Sequence, residues 1–340
     1  MSITSLDQLE EVLSRPSEAD QAAMSKLEGD LLVLGVGGKM GPSLVRRARR
    51  ACVAAGVKKR VIGVARFSTP GLREELERDG IETIAADLLD PDALARVPEI
   101  ENVIYLAARK FGSTGAEYLT WAMNVHLPGR VAERYRSSRI VFYSSGNVYA
   151  LSPVVEGGAT ESSPVDPVGE YAQTALGRER VFEYFSRANG TPVAVLRLNY
   201  ANELRYGVLV DIGRKVFERQ PIDLSMGNAN VIWQGDANSV CLRSFPLCAS
   251  PPAVMNLTGP ETLSVRWAAG RFAERFGIEP VFTGLESPTA LLSNASRCHA
   301  LFGYPGVTAE QMIEWIVCWI AMGGASLGKP THFEVRNGRF

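Results

Sequence analysis

Cysteine and histidine are scarce in this chain, at 5 and 3 of 340 residues. The cysteines (Cys52, Cys241, Cys248, Cys298, Cys318) are odd in number and widely spread. They form no CxxC pair, and no histidine stands at zinc-ligand spacing beyond the adjacent Cys298-His299. That argues against a disulfide framework or a structural zinc and for reduced, buried thiols in a cytoplasmic protein. His126, His299 and His332 have no partner at a recognisable spacing, so none is assigned to chemistry. An excess of either charge is also missing: Lys plus Arg number 36 against 37 Asp plus Glu, a net charge of -1. This removes the long-range field on which unspecific binding to nucleic acid or an anionic membrane relies, and leaves a small molecule as the expected partner. No apolar run spans a bilayer; Met312 to Met322 is about half a span and is interrupted by Glu314. The acidic start with Asp7, Glu10 and Glu11 lacks the basic region and apolar run of a secretory signal. There is no fixed-period repeat and no low-complexity tract.

What is present is ordinary globular material, 46% apolar and 21% charged, long enough for one large domain or two modest ones. Residues 1–28 are polar with helical spacing (Leu6, Leu9, Leu13), which predicts a short helical extension. From Asp30 onward, apolar runs alternate with amphipathic stretches of helical length, the pattern of successive βαβ units. The runs are Leu31 to Val36, Arg60 to Ala65, Ile81 to Ala86, Asn102 to Leu106, Arg139 to Tyr143 and Val193 to Leu198. Helices are predicted near Pro42 to Ala55, Pro70 to Arg78, Pro91 to Val97, Ala116 to Arg136 and Val168 to Asn189. Runs that are continuously apolar belong to strands buried on both faces, so the predicted fold is α/β, a doubly wound parallel sheet of Rossmann type. After Tyr200 the alternation loosens. A Rossmann domain over 29–200 and a smaller substrate-binding lobe over 201–340 follow, the lobe carrying helices near Val265 to Phe276 and Ala309 to Ala321. Trp267, Phe272, Phe276, Trp315 and Trp319 recur at helical intervals and read as core.

The first run enters Leu34-Gly35-Val36-Gly37-Gly38-Lys39-Met40-Gly41 and then a helix opened by Pro42. Gly35 suits a tight turn, Gly38 close approach of backbone to a pyrophosphate, and Gly41 close packing of helix on strand; the helix N-terminus offers N–H groups to an anion. No GKS or GKT follows, which disfavours a nucleoside-triphosphate loop. Lys39 is expected over a phosphate, with a solvated loop lysine as the alternative, and Met40 counts with it among the expected cofactor-binding residues. The second run ends in Val64-Ala65-Arg66-Phe67, where an NAD-preferring site would carry a carboxylate. Arg66 offers a planar cation for a 2'-phosphate, so NADP is expected with NAD as the alternative. Asp87 and Leu88, at the end of the third run, are placed to meet an adenine edge.

These residues together resemble the extended short-chain dehydrogenase/reductase family, which includes NAD(P)-dependent nucleotide-sugar epimerases and dehydratases. Gly35, Gly38 and Gly41 match its TGxxGxxG motif with Leu34 in place of Thr. Ala86-Asp87-Leu88 resembles its adenine-contacting strand end, and Tyr105-Leu106-Ala107-Ala108 its fourth strand closing on paired alanines beside the cofactor. Asn124 stands at its helix asparagine. Ser144-Ser145-Gly146-Asn147-Val148-Tyr149 is similar to its fifth-strand motif. By this resemblance Ser145 is the catalytic hydroxyl that orients the reacting oxygen, Tyr171 the acid/base that also meets the cofactor, and a homodimer forms through the helices near 116–136 and 168–189.

The departures narrow the chemistry. The family's YxxxK reads Tyr171-Ala172-Gln173-Thr174-Ala175, with alanine where the lysine binds the nicotinamide ribose and lowers the tyrosine pKa. A tyrosine near its ordinary pKa of about 10 is phenolate in only about one molecule per thousand at pH 7. Lys110, Arg109, Arg178 and Arg205 are the candidate replacement cations. The dehydratases' Asp-Glu pair is replaced by Gly146-Asn147, which disfavours their elimination. Arg197-Leu198-Asn199 resembles the family's LRxxN segment with the asparagine one place early, and Glu203-Leu204-Arg205-Tyr206 replaces the GP that follows. Asn147, Asn199, Glu203, Arg205 and Trp233 are therefore the expected substrate contacts, Arg205 holding a carboxylate. Asp236 is expected to N-cap the following helix. The predicted function is an NAD(P)-dependent oxidoreductase or epimerase acting at a hydroxyl or keto carbon of a sugar-like or hydroxy-acid substrate. The rival, motivated by Ala175, is a catalytically silent dinucleotide-binding redox sensor or assembly subunit.

Overall fold

A computed structural model of the chain describes residues 2–110 and 115–338. Seven strands form one parallel sheet: β1 (Leu31–Leu34), β2 (Val61–Ala65), β3 (Glu82–Ala85), β4 (Asn102–Tyr105), β5 (Arg139–Ser145), β6 (Val193–Leu198) and β7 (Ala253–Leu257). Their spatial order is β3-β2-β1-β4-β5-β6-β7, with Leu31 opposite both Val61 and Asn102, and Ser145 opposite Leu198. The order reverses at β1, so a crevice opens between the C-terminal ends of β1 and β4, where this architecture binds ligands.

Both faces are covered over β1 and β2, which explains why these strands carry no polar side chain, whereas the edge strand β3 is Glu-Thr-Ile-Ala and partly exposed. On one face Leu31 and Val33 pack with Leu44, Val45 and Ala48 of α3 (Gly41–Ala54); on the other Leu32 and Leu34 pack with Leu127 and Val131 of α7 (Leu127–Arg134) and Phe182 of α8 (Glu170–Asn189). The remaining helices of this half are α4 (Leu72–Arg78), α5 (Pro91–Arg96) and α6 (Glu117–Trp121). The stretch predicted as one long helix near 116–136 is α6, a π-helical turn at Ala122–His126, and α7. Pro128 has no N–H to give the carbonyl of Asn124 four residues earlier, and the register widens there, Leu127 N–H bonding the carbonyl of Ala122.

Three expectations change. The N-terminal extension is two capped helices, α1 (Leu6–Ser14) and α2 (Glu18–Lys26), and both are built into the core. Leu9 and Leu13 are fully buried against α9 (Val208–Phe217), α11 (Val265–Phe276) and α13 (Ala309–Ala321), while Met24 joins the sheet core. The boundary at residue 200 is crossed by the chain itself, because 253–257 return as the sheet's edge strand and α10 (Gln234–Arg243) packs on α2 and α3. Among the aromatics expected in the core, Phe272 and Trp319 are buried, whereas Trp267 is 42% exposed.

Candidate active-site cleft

A cleft of about 1260 Å³ runs along the C-terminal edge of the sheet, from the glycine loop past the ends of β4 and β5 to α9 and α1. The loop's geometry depends on two glycines. Gly35 has φ +90°, and a Cβ there would stand 2.6 Å from the backbone nitrogen of Ala107; at Gly41 a Cβ would lie 2.2 Å from the carbonyl oxygen of Val36. Gly38 differs, since a Cβ would meet nothing nearer than 3.5 Å and the residue opens onto the cleft. Met40, the N-cap residue of α3, makes no side-chain cap, Pro42 stands in the first turn, and this N-terminal end lines the cleft. A dinucleotide's pyrophosphate fits this open backbone edge.

Lys39 lines the cleft but reaches away from the loop. Its Nζ donates to the carbonyl of Ala201 at 2.8 Å and sits 3.7 Å from the ring centroid of Tyr206, tying the loop to the second lobe. Burial pushes its ammonium down to about 7, opposed by the carboxylate of Glu203. The residues expected around the adenosine are spread out. The Arg66 side chain is 71% exposed and 3.9 Å from Asp87; the Asp87 carboxylate accepts the Leu89 N–H at 3.0 Å; Leu88 is buried in the sheet core. None of these three lines the cleft. Ala107 is buried behind Gly35, and Ala108 stands on the cleft wall.

Asn124 is fully buried in the π-helical turn and faces protein instead of cofactor. Its carboxamide accepts the Arg109 N–H at 2.8 Å and donates to the Arg109 carbonyl and the Thr174 hydroxyl, each at 2.9 Å. It therefore clamps the segment after β4 to α8.

At the end of β5, Ser145 Oγ accepts the Asn147 N–H at 3.1 Å and donates to Asn147 Oδ1 at 3.0 Å. Tyr171 enters the cleft from the first turn of α8, and the Nζ of Lys110 lies 5.7 Å from its ring centroid. Burial pushes Lys110 down to about 8. Ala175 is fully buried in a small apolar cluster with Val148, Tyr149 and Ala159. Beneath these residues Glu179 of α8 pairs with Arg197 of β6 at 2.7 Å and accepts the Ser144 hydroxyl of β5; Arg197 also donates to Tyr149 Oη at 2.7 Å.

The second lobe corrects most of the expected substrate contacts. Asn199 does line the cleft, its carboxamide held 3.3 Å from the Leu291 carbonyl. Glu203 is 1% exposed and lies behind the wall. Arg205 lines the cleft, but Glu203 at 3.1 Å and Glu10 at 2.9 Å already engage its guanidinium, leaving that charge compensated without a substrate carboxylate. Trp233 is 2% exposed and packs edge-on against Trp315 at 5.3 Å, a core residue and not a pocket wall. Asp236 sits inside the first turn of α10, not at its cap, and accepts the Val307 N–H at 3.0 Å, fastening the approach to α13. Sequence reading missed Glu10 and Tyr206. Glu10 belongs to an amphipathic helix whose docking site is set by tertiary packing, and the contact of Tyr206 with Lys39 joins segments far apart in the chain.

The sequence profile of the NAD dependent epimerase/dehydratase family matches residues 31–201, from β1 through the sixth strand. The chain belongs to this family. As a member it is an NAD-dependent enzyme of the epimerase/dehydratase type. Solved structures share the fold. UDP-glucuronic acid 4-epimerase from Bacillus cereus, in complex with UDP-4-deoxy-4-fluoro-glucuronic acid and NAD, superposes with a TM-score of 0.72 at 18% identity, covering 86% of this chain and 99% of that one. UDP-glucose 4-epimerase from Thermus thermophilus, in complex with NAD, gives 0.68 at 20% identity over 87% and 99%. UDP-glucose 4-epimerase from Thermotoga maritima, with UDP-glucose, gives 0.69 at 18% identity over 86% and 99%. No curated protein matches the chain in sequence. Among the described residues no helix is long and apolar enough to cross a membrane.

Proposed function

We propose that Tyr171 and Ser145 carry acid/base chemistry on the carbinol or carbonyl oxygen of a sugar-like substrate. The carrying observation is that the glycine loop, Ser145 and Tyr171 line one cleft with the ammonium of Lys110 beside the tyrosine ring. A bound nicotinamide supplies the hydride acceptor and donor. Tyr171 holds or releases the proton at the substrate oxygen. Ser145 Oγ is fixed by the Asn147 N–H, and its own proton turns from Asn147 Oδ1 to the substrate oxygen. Beyond Tyr171 the cleft is lined by Asn199, Tyr200, Tyr206, Lys39 and Lys329, a donor-rich wall suited to hydroxyls and to an anionic sugar; the UDP-sugars bound by structural relatives support this class.

The exposed guanidinium of Arg66 at the end of β2 supports NADP over NAD, although the complexes of the relatives contain NAD. A homodimer through α6, α7 and α8 is supported by Tyr118 and Trp121 on α6 and Tyr184 on α8, aromatic residues left exposed. Titration with NADPH and NADH, followed by turnover of a panel of sugar nucleotides and sugar acids, tests the reading. Tyr171→Phe and Ser145→Ala should each lower turnover by about 10²- to 10⁴-fold with cofactor binding kept. Full turnover in both variants sinks the assignment, and tight cofactor binding without turnover of any panel member favours the silent sensor.

A further inference from the structure

Past α13 the chain turns back along the cleft as a strap, residues 324–338. Contacts along its length fix its course. The Leu327 N–H donates to the Arg205 carbonyl at 3.1 Å, and the N–H and hydroxyl of Thr331 both donate to the Asp211 carboxylate of α9, at 2.8 and 2.5 Å. Phe333 is 1% exposed in the core of the second lobe. The Arg336 guanidinium donates to the carbonyls of Ser225 and Thr289 at 3.1 and 2.8 Å and to the Thr289 hydroxyl at 2.6 Å. On the way Leu327, Lys329 and Thr331 line the cleft. At Gly338 the strap meets the start of the helix that carries Tyr171. Gly169, the N-cap residue of α8, has φ +85°, and a Cβ there would overlap the carbonyl oxygen of Gly338; Gly338 has φ +69°, and a Cβ there would overlap the carbonyl oxygen of Val168. The two backbones therefore approach so closely that each side requires glycine. No side chain caps α8, and Tyr171 follows Gly169 by two residues. Trp121 of α6 also touches this turn, its Nε1 donating to the Glu170 carboxylate at 2.6 Å. That bond holds a side chain, whereas the contact with Gly338 bears on the backbone from which Tyr171 projects.

We propose that Gly338 is a positioning residue for Tyr171: the strap, anchored in the second lobe by Thr331, Phe333 and Arg336, holds the first turn of α8 so that the tyrosine hydroxyl is presented to the substrate oxygen. The proposal rests on the acid/base reading of Tyr171. The strap itself moves no proton and acts through the helix. Proton transfer needs the tyrosine hydroxyl within hydrogen-bond reach of the reacting oxygen, and a misplacement of about 1 Å costs about a hundredfold in rate. The lobe that walls the substrate end of the cleft thereby also sets the place of the acid/base group on the Rossmann half.

The test compares Gly338→Ala with Gly328→Ala in the full chain. Both glycines lie on the strap at similar left-handed φ, +69° and +62°, so alanine meets a similar backbone penalty at each, but a Cβ at Gly328 meets nothing within 4 Å. The contact with α8 is the difference between the variants. Turnover of UDP-glucose and UDP-glucuronic acid with NAD is measured together with hydrogen–deuterium exchange of the peptide covering 168–175. Gly338→Ala should lower kcat by roughly tenfold to a hundredfold, with KM and NADH affinity kept within about twofold. Exchange in 168–175 should quicken by about tenfold, while 180–189 at the far end of α8 exchange as before. Gly328→Ala should leave each of these within about twofold of the unsubstituted chain. Unchanged kcat or unchanged exchange in Gly338→Ala overturns the proposal, as does an equal fall of kcat in Gly328→Ala or a loss confined to KM. An unsubstituted chain that turns over neither sugar nucleotide counts against the acid/base reading, a distinguishable result, and exchange then decides whether the strap holds the turn. Where Gly338→Ala does not fold, Arg336→Met releases the strap at a residue outside the cleft wall and carries the same expected and overturning results.

Discussion

Removing the carboxylate of Glu179 should unfold the cleft's floor before it alters any ligand contact. Glu179 and Arg197 are 6% and 7% exposed at the side chain and meet at 2.7 and 3.0 Å, a two-pronged pair between α8 and β6. The same carboxylate accepts the Ser144 hydroxyl, and Arg197 continues to Tyr149, whose hydroxyl donates to Asn256 of β7 at 2.8 Å. One network therefore joins α8, β5, β6 and β7. In Glu179→Ala the guanidinium stays buried without its counter-charge, a loss of about 3–5 kcal/mol for breaking one side of a buried pair. Unfolding entropy of about 2.1 cal/mol/K per residue gives roughly 0.7 kcal/mol/K for this chain, so the melting temperature should fall by roughly 4–7 °C.

Thermal unfolding followed by circular dichroism measures this, with Glu183→Ala as the comparison. Glu183 sits on the same helix, is 31% exposed at the side chain, and pairs with Arg180 and Arg187; the loss there should stay within about 1 °C. The double variant Glu179→Met with Arg197→Met removes both charges and should be less destabilised than either single substitution. A melting temperature for Glu179→Ala within about 1 °C of the unsubstituted chain refutes the reasoning, as does a double variant whose loss equals the sum of the two singles.

Two further outcomes test the cleft. Gly38→Ala should leave the melting temperature unchanged, because the added Cβ meets nothing nearer than 3.5 Å, yet weaken NADH binding by about tenfold or more where the backbone must approach a pyrophosphate; unchanged affinity in titration places the cofactor elsewhere. For Lys110, burial lowers the ammonium from 10.5 to about 8, so between these values the unfolded chain binds the extra proton and stability rises with pH, by at most about 3 kcal/mol over the window. Lys110→Met should be more stable than the unsubstituted chain below pH 8, with the gap closing toward pH 10.5. Parallel urea-midpoint curves for the two proteins across that window refute it.

The central strands are legible because each buried strand needs about four to six apolar residues in a row and each crossover helix a polar face; β3, partly exposed at the edge, shows only Ile84 and Ala85 of such a run. The seventh, Ala253–Leu257, was not read as a strand. It follows a Pro-rich connection and carries Asn256, whose carboxamide is satisfied only by the Ala159 and Asn294 carbonyls and by Tyr149, partners 38 to 107 residues away. Nor does local pattern reveal that α1 enters the second lobe's core, because an amphipathic helix declares that it has an apolar face and not what covers it.

The site divides along the same line. Gly35 and Gly41 are dictated by local backbone approach, and a short motif carries that information. Glu203, Arg205 and Trp233 suggest substrate contacts by side-chain chemistry alone, and the fold satisfies them from inside: Glu10 arrives from 195 residues away to neutralise Arg205, and Trp315 covers Trp233. Arg178 shows the same limit: its place on the face of Tyr171 follows from helical period, whereas its bond to the Tyr143 carbonyl is set by the packing of α8 on β5. Ala175 is therefore not evidence of lost chemistry by itself. A cleft that keeps Ser145 and Tyr171 and brings the Lys110 ammonium to the tyrosine ring holds a cation beside that ring from a different element of the fold.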